Sequence, residues 1–132
     1  MAARRSYGLS RWRKGDPIPE RAFTYVVVWD GLGVVKVGRC WHIDRIATMG
    51  LVETDGRVAF LVEHSLKSVE AEVLRQFWDH PETTQPAFAS AAEAAWLLPP
   101  DGHGWTETFQ FTPGRWLDVR ALVFAGIRAA RH

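Results

Sequence analysis

The chain has 132 residues, of which 47% are hydrophobic and 23% charged, and its formal net charge is +1. This length and composition are typical of one globular domain and exclude disorder throughout the chain. The single cysteine, Cys40, excludes an internal disulfide and a zinc site built from several cysteines, and no apolar run is long enough for a membrane helix. We therefore expect a cytoplasmic protein with no membrane partner.

Residues 1–20 are predicted to form a basic arm that precedes the folded domain. Five basic side chains lie there with two aromatic residues, Tyr7 and Trp12, among them: Arg4, Arg5, Arg11, Arg13 and Lys14. This mixture suits a phosphate backbone and unstacked bases, although a plain solvated terminus often has the same composition. Pro17 and Pro19 cannot continue a helix. The folded domain is therefore expected at residues 21–132.

A β-hairpin is predicted at the start of this domain. Residues 24–29 are β-branched and aromatic, which is typical of a buried strand, and residues 34–38 read as its partner. The Asp-Gly sequence at residues 30–33 is a strong signal for the turn between them. A short helix over 44–49 and a third strand over 56–62 follow.

The second half of the chain is predicted to be mainly helical. Helices are expected at 68–78, with Ser68 as its N-cap, at 90–98 and at 113–130, and a late strand at 105–111. Prolines mark residues 81–86 as a loop. This order of elements predicts an α+β fold in which a small antiparallel three-stranded sheet is flanked by helices.

The hairpin register places two polar side chains close together. If the Asp-Gly turn closes the hairpin, Tyr25 lies opposite Gly38, and Lys36 lies opposite Val27. All four then occupy one face, with the tyrosine and the lysine as diagonal neighbours within side-chain reach. Gly38 leaves room for the tyrosine ring. The plainer alternatives are a strand aromatic at Tyr25 and an exposed hairpin lysine at Lys36.

One carboxylate of the 68–78 helix is out of place. At about 100° per residue, Glu70 falls inside the apolar stripe, whereas Glu72 lies on the polar face. The stripe consists of Leu66, Val69, Val73, Leu74 and Phe77. A carboxylate on a packing face is costly unless a cation or hydrogen-bond donors meet it. Glu70 is therefore either functional or a rim carboxylate paired with Arg45 or Lys67.

These positions together resemble the GIY-YIG nuclease superfamily, and within it the small phage-type branch whose second motif reads KIG. In the run TYVVVWDGLGVVKVGRC, the first motif's tyrosine corresponds to Tyr25, and the second motif to Lys36-Val37-Gly38. The arginine of the following helix corresponds to Arg45, and the metal-binding glutamate of the later helix to Glu70. Residues 104–109, GWTETF, are similar to a strand that reads GEWF in this branch.

The resemblance also has departures. The first triplet survives only as Phe23-Thr24-Tyr25, and no residue corresponds clearly to the family's late asparagine. The loss of that asparagine bears on the geometry of the late part of the site and on activity.

The resemblance implies a GIY-YIG-like fold and metal-dependent hydrolysis of DNA phosphodiester bonds. Tyr25, as a phenolate or as a relay to water, is the general base, and the neighbouring positive charge of Lys36 favours its ionised form. Arg45 holds the scissile phosphate and offsets its developing charge. Glu70 binds Mg²⁺ or Mn²⁺, which polarises the phosphate.

Five further residues are weaker candidates. His42 and His64 are candidates for a second base or a phosphate contact. Glu107 alternates with Trp105 and Phe109, so it is expected on a covered face, as an accessory to the site or in a structural ion pair. Arg39 and Trp41 are candidate nucleic-acid contacts next to the second motif.

Two other functions stay open beside the nuclease. One is a catalytically inactive nucleic-acid-binding module of the same fold, and the other is a protein-interaction domain without a nucleic-acid role. The sequence also leaves open DNA or RNA, double or single strands, and whether the protein is a homodimer.

Overall fold

The structure is a computed structural model and describes residues 23–40, 46, 50–63, 68–98 and 104–131. These residues form an α+β fold, as predicted. The basic arm and the predicted helix over 44–49, apart from Ile46, lie outside the described residues.

A five-stranded antiparallel sheet forms the centre of the fold. In chain order its strands are β1 (Phe23–Trp29), β2 (Val34–Cys40), β3 (Arg57–Glu63), β4 (Gln85–Pro86) and β5 (Thr108–Gln110). Their order across the sheet is β3-β1-β2-β5-β4. The strands β1 and β2 thus form the middle of the sheet, with β3 on one side and the two short strands on the other.

The prediction of three strands is therefore wrong. The extra pair of strands is short, and β4 lies where prolines predict a loop. Pro86 is compatible with this strand because a residue at the border of a sheet need not donate a ladder hydrogen bond. Its carbonyl instead accepts a bond of 3.0 Å from the side chain of Gln110.

The hairpin has the predicted register. Tyr25 pairs with Gly38, and Val27 pairs with Lys36. In the turn, Gly33 has a φ of +66°, a conformation that glycine adopts without strain. A side chain at this position would also meet the Phe111 carbonyl oxygen at 2.2 Å. Glycine is therefore required at this turn for two independent reasons.

Helices cover the sheet. They are α1 (Leu51–Thr54), α2 (Val69–Asp79), α3 (Ala91–Ala94) and α4 (Trp116–Ala130), with a 3-10 helix at Gly104–Glu107. Within the described ranges, none of these helices is long and apolar enough to cross a membrane.

The N-caps of two helices follow the predicted signals. The backbone N–H of Ala71 donates to the hydroxyl of Ser68 at 3.2 Å, and Glu93 donates to Ser90 in the same way at 3.2 Å. The predicted helix over 90–98 is nevertheless only one turn, Ala91–Ala94, followed by turns.

The predicted strand over 105–111 is wrong in its first half. A 3-10 helix occupies Gly104–Glu107, and the strand begins only at Thr108. The Thr108 hydroxyl donates to the carbonyl oxygen of Gly104 at 2.6 Å and closes this turn. The 3-10 helix interrupts the strand alternation that would place Trp105 and Phe109 on one face. Their rings therefore pack in different core clusters.

The core consists of two layers, one on each face of the sheet. On the first face, valines of β1 and β2 pack against Val73 of α2 and Val123 of α4. On the second face, Tyr25, Val27 and Trp29 pack against residues 94–98, and Ile46 joins them. Burial on both faces explains why β1 is an almost continuous apolar run.

Helices α2 and α4 approach each other at a glycine. A Cβ added at Gly126 would lie 2.6 Å from the Cα and 2.8 Å from the backbone nitrogen of Val73. Backbone atoms of a packed helix cannot move aside as a flexible side chain can. The position of α2, which carries Glu70, therefore depends on this glycine.

We predict that Gly126→Ala destabilises the protein by about 1–3 kcal/mol through overpacking, although alanine is intrinsically the better helix former by about 1 kcal/mol. Thermal unfolding measures the change. Gly31→Ala is the control, because a Cβ at Gly31 meets nothing within 4 Å. A melting temperature for Gly126→Ala at or above that of the control would contradict the close helix contact.

Candidate active site

Lys36 and Tyr25 form a buried polar pair. The Lys36 Nζ donates a hydrogen bond of 2.6 Å to the Tyr25 hydroxyl oxygen and lies 4.7 Å from the centre of its ring. Only 7% of the lysine and 8% of the tyrosine are exposed. The alternative of an exposed hairpin lysine is therefore wrong. A buried ammonium is costly without a partner, and here the phenol oxygen supplies the acceptor.

Gly38 makes room for this arrangement. A Cβ at Gly38 would lie 2.2 Å from the Tyr25 hydroxyl oxygen and 2.3 Å from the carbon that bears it. The ring thus lies directly across the backbone of β2 and occupies the space that the sequence predicts there. Any side chain at position 38 would displace the hydroxyl from Lys36.

The first turn of α2 brings Glu70 to this region. Val69, Val73 and Phe77 of the helix are buried, and Glu70 is half-buried beside them, as the helical projection predicts. Glu72 points away, towards Arg75, with which it forms an ion pair. Its side chain retains 21% exposure, so it is more covered than a fully solvated residue.

Glu70 and Glu107 form a carboxylate pair. The 3-10 helix places Glu107 beside α2, where protonated Glu70 hydrogen-bonds to it. Burial, followed by the charge of Glu107 and this hydrogen bond, raises the pKa of Glu70 from 4.5 to about 6. The sequence places Glu107 on a covered face by strand alternation, whereas the structure brings it to Glu70 through the 3-10 helix.

Two cations partly offset this repulsion. The charges of Arg39 and Lys36 both act to lower the pKa of Glu70. Arg39 is exposed on β2, next to Gly38. By strand alternation, Lys36 and Arg39 lie on opposite faces of β2. Along β2, strand β5 pairs only with Val34–Lys36, and both the 3-10 helix and α2 contact β2, so Glu70 meets charges from both faces.

The structure therefore gathers five of the predicted site residues: Tyr25, Lys36, Arg39, Glu70 and Glu107. The other candidates lie outside the described residues: Arg4, Arg5, Arg11, Arg13, Lys14, Trp41, His42, Arg45 and His64. Ile46, which follows the predicted phosphate-binding arginine, is buried in the same cluster as Tyr25.

The donor set suits a hard divalent cation. In the described part of the chain, no group of three or more His, Cys, Asp or Glu side chains is arranged to hold a metal ion. Mg²⁺ does not need such a group, because it keeps several of its waters and binds through one or two carboxylates together with substrate phosphates. Glu70 and Glu107 fit this requirement, and a cation would relieve the repulsion between them.

The sequence does not identify the residues that cover the lysine. A Cβ at Gly104 would lie 2.7 Å from the Cε of Lys36. Thr108, which is 1% exposed, is the cross-strand partner of the same lysine. Glycine and threonine have no catalytic or metal-binding group that would mark them as site residues in a sequence. Their position beside Lys36 is apparent only from the pairing of β5 with β2 and from the close approach of Gly104.

Comparisons with protein-family models, curated proteins and solved structures found no match to this chain.

The raised pKa of Glu70 predicts a pH-dependent effect of Glu70→Gln on stability without metal. The folded-state pKa of about 6 exceeds the ordinary 4.5, so ionisation of Glu70 costs the folded state free energy. This cost is absent below about pH 4.5, develops between pH 4.5 and pH 6, and is complete above it. At about 1.4 kcal/mol for each pH unit the full shift would correspond to about 2 kcal/mol. Glu70 is only half-buried and solvent screens part of this cost, so Glu70→Gln should gain on the order of 1 kcal/mol near neutral pH.

Urea unfolding in EDTA, at about pH 4 and about pH 7, measures this gain in the variant and the wild type. The advantage of Glu70→Gln should appear only at the higher pH. Glu72→Gln is the control, because its carboxylate is paired with Arg75 on the other side of the helix. An advantage of Glu70→Gln that is equal at both pH values would contradict the carboxylate pair.

Proposed function

We propose that this protein is a metal-dependent endonuclease that hydrolyses DNA phosphodiester bonds with a site of the GIY-YIG type. The observation that carries the proposal is the 2.6 Å contact between the buried Lys36 ammonium and the Tyr25 hydroxyl, formed next to a carboxylate pair. A purely structural core has little reason to gather a buried ammonium, a buried phenol and two half-buried carboxylates in one place.

Tyr25 acts as the general base in this proposal. The Lys36 ammonium donates a hydrogen bond to the Tyr25 oxygen and can offset negative charge on that oxygen during proton transfer. Lys36 is placed to do this, because its ammonium lies at the Tyr25 oxygen and can only donate hydrogen bonds. The phenolate takes a proton from the water that attacks phosphorus.

Glu70 and Glu107 would hold the Mg²⁺ or Mn²⁺ ion. When bound, the ion polarises the phosphate and stabilises charge on the leaving oxygen. The two residues must both be ionised to bind it, so its affinity should fall as the pH drops below the pKa of Glu70, about 6.

Arginine supplies the contact with the DNA backbone. Arg39 is exposed beside the carboxylate pair, where its guanidinium can reach a phosphate and offset charge during cleavage. The resemblance assigns the same role to Arg45. The basic arm extends the phosphate contacts in this proposal.

The direct test is incubation of the purified protein with plasmid and with single-stranded DNA, in Mg²⁺, Mn²⁺ or EDTA. Wild type should cleave only with metal. Tyr25→Phe should reduce the rate by about 10²–10⁴-fold, as expected for the loss of a general base, and Glu70→Gln should abolish cleavage. Glu72→Gln, the matched control two residues away, should change the rate little and the stability by about 0.5 kcal/mol or less.

Tyr25→Phe also leaves the buried Lys36 without its acceptor, which should cost about 1–3 kcal/mol of stability. Rates are therefore compared well below the melting temperature of this variant. Full activity in Tyr25→Phe or Glu70→Gln would overturn the mechanism. Salt-sensitive DNA binding by the wild type without cleavage in any metal would favour the inactive binding module instead.

The role of Arg39 is tested by DNA binding at several salt concentrations. Arg39→Gln should weaken binding and reduce the slope of log affinity against log salt by about 1, the effect of losing one phosphate contact. Arg75→Gln is the control, because this exposed arginine of α2 is paired with Glu72 and Asp79. Equal slopes in both variants would show that Arg39 does not contact the DNA backbone.

A further inference from the structure

The end of the Lys36 side chain lies under the 3-10 helix. The position that a Cβ of Gly104 would occupy is 2.7 Å from Cε, 3.5 Å from Nζ and 3.9 Å from Cδ of the lysine. On its other side the Nζ contacts the Tyr25 hydroxyl. The ammonium thus lies between the backbone of Gly104 and the tyrosine ring.

Thr108 connects the backbone at Gly104, which we call the cover of the lysine, to the sheet. It pairs with Lys36 across β2 and β5, so the two side chains start from the same face and from neighbouring positions. Its hydroxyl donates to the Gly104 carbonyl oxygen at 2.6 Å. Thr108 therefore holds β5 beside the backbone of Lys36 and also closes the turn above the end of the lysine side chain.

The long side chain of Lys36 needs such a cover to stay in one conformation. A lysine side chain has four carbons and a rotamer entropy of about 2 kcal/mol, and its reach to Tyr25 crosses the hairpin diagonally. Without atoms over Cε, other rotamers would remain open to it. Gly104 has no side chain, so its backbone can lie close over the lysine, and the Cε of Lys36 occupies the space that a Cβ of residue 104 would need.

We propose that Gly104 and Thr108 are positioning residues that hold the Lys36 ammonium against the Tyr25 hydroxyl. Gly104 limits the rotamers of the lysine, and Thr108 holds Gly104 in place. The consequence for cleavage rests on the proposed nuclease function, since it requires Tyr25 to act as the base. The consequence for the Lys36–Tyr25 contact does not.

Gly104→Ala is the informative variant. Its new methyl group would collide with the flexible end of Lys36 rather than with backbone, so the lysine should move aside while the fold stays intact, and the stability lost should be that of its buried hydrogen bond to Tyr25. Gly104 does not have a positive φ, so alanine introduces no backbone strain. Thr108→Val removes the hydroxyl and keeps the shape, whereas Thr108→Ser keeps the hydroxyl. Gly31→Ala is the control for the glycine change.

The contact is read by NMR with tyrosine isotopically labelled at the ring carbon that bears the hydroxyl. The Tyr25 signal is assigned by its loss in Tyr25→Phe, and Lys36→Met gives its position when the ammonium is absent. Gly104→Ala and Thr108→Val should move the signal most of the way to that position. Thr108→Ser and Gly31→Ala should leave it near the wild-type position.

Cleavage is then measured near neutral pH. Gly104→Ala and Thr108→Val should lose about tenfold in rate, as expected when about 1.4 kcal/mol of transition-state stabilisation is lost. Thr108→Ser should restore the wild-type rate.

An unchanged Tyr25 signal in Gly104→Ala would overturn the role of Gly104. Equal displacement in Thr108→Val and Thr108→Ser would overturn the role of the hydroxyl. If the wild type cleaves nothing, the proposed function fails, while the NMR signal still decides whether the cover exists. A displaced signal with an unchanged cleavage rate would overturn the link between the cover and catalysis.

Discussion

The hydrogen bond between the Lys36 ammonium and the Tyr25 hydroxyl sets the demands on the surrounding structure. Burial of a cation in a small domain is costly, and the loss of its acceptor would leave that cost uncompensated. The pair therefore requires Gly38 under the ring and Gly104 over the lysine, since any side chain at either position would intrude. It also requires the hairpin register, because a slip of one residue would place Lys36 on the other face.

Much of this centre follows from local sequence rules. The Asp-Gly turn and the two-residue period of a strand predict the register, and with it the neighbours Tyr25 and Lys36. The 3.6-residue period of a helix identifies Glu70 as a carboxylate on a packing face. These predictions succeed because each depends on residues close in the chain, whose geometry is set by backbone periodicity.

The predictions that fail concern contacts between distant segments. Strands of two and three residues, such as Gln85–Pro86 and Thr108–Gln110, are too short for a period to show, so the sheet has more strands than its pattern predicts. Glu107 illustrates the same limit. Alternation places it with Trp105 and Phe109 on one face, whereas the structure puts those rings in different clusters and brings Glu107 to Glu70 through the 3-10 helix.

The pairing of Lys36 with Thr108 also has a consequence for the order of folding. It joins a hairpin near the start of the described chain to a strand close to its last helix. Such long-range pairs form late, because the entropy of closing a large loop must be met before they gain any stability. We expect the hairpin to bring the lysine and the tyrosine together early, and the lysine to be confined only when β5 docks. The ordered centre would then be a property of the completed chain, absent from any partly folded state.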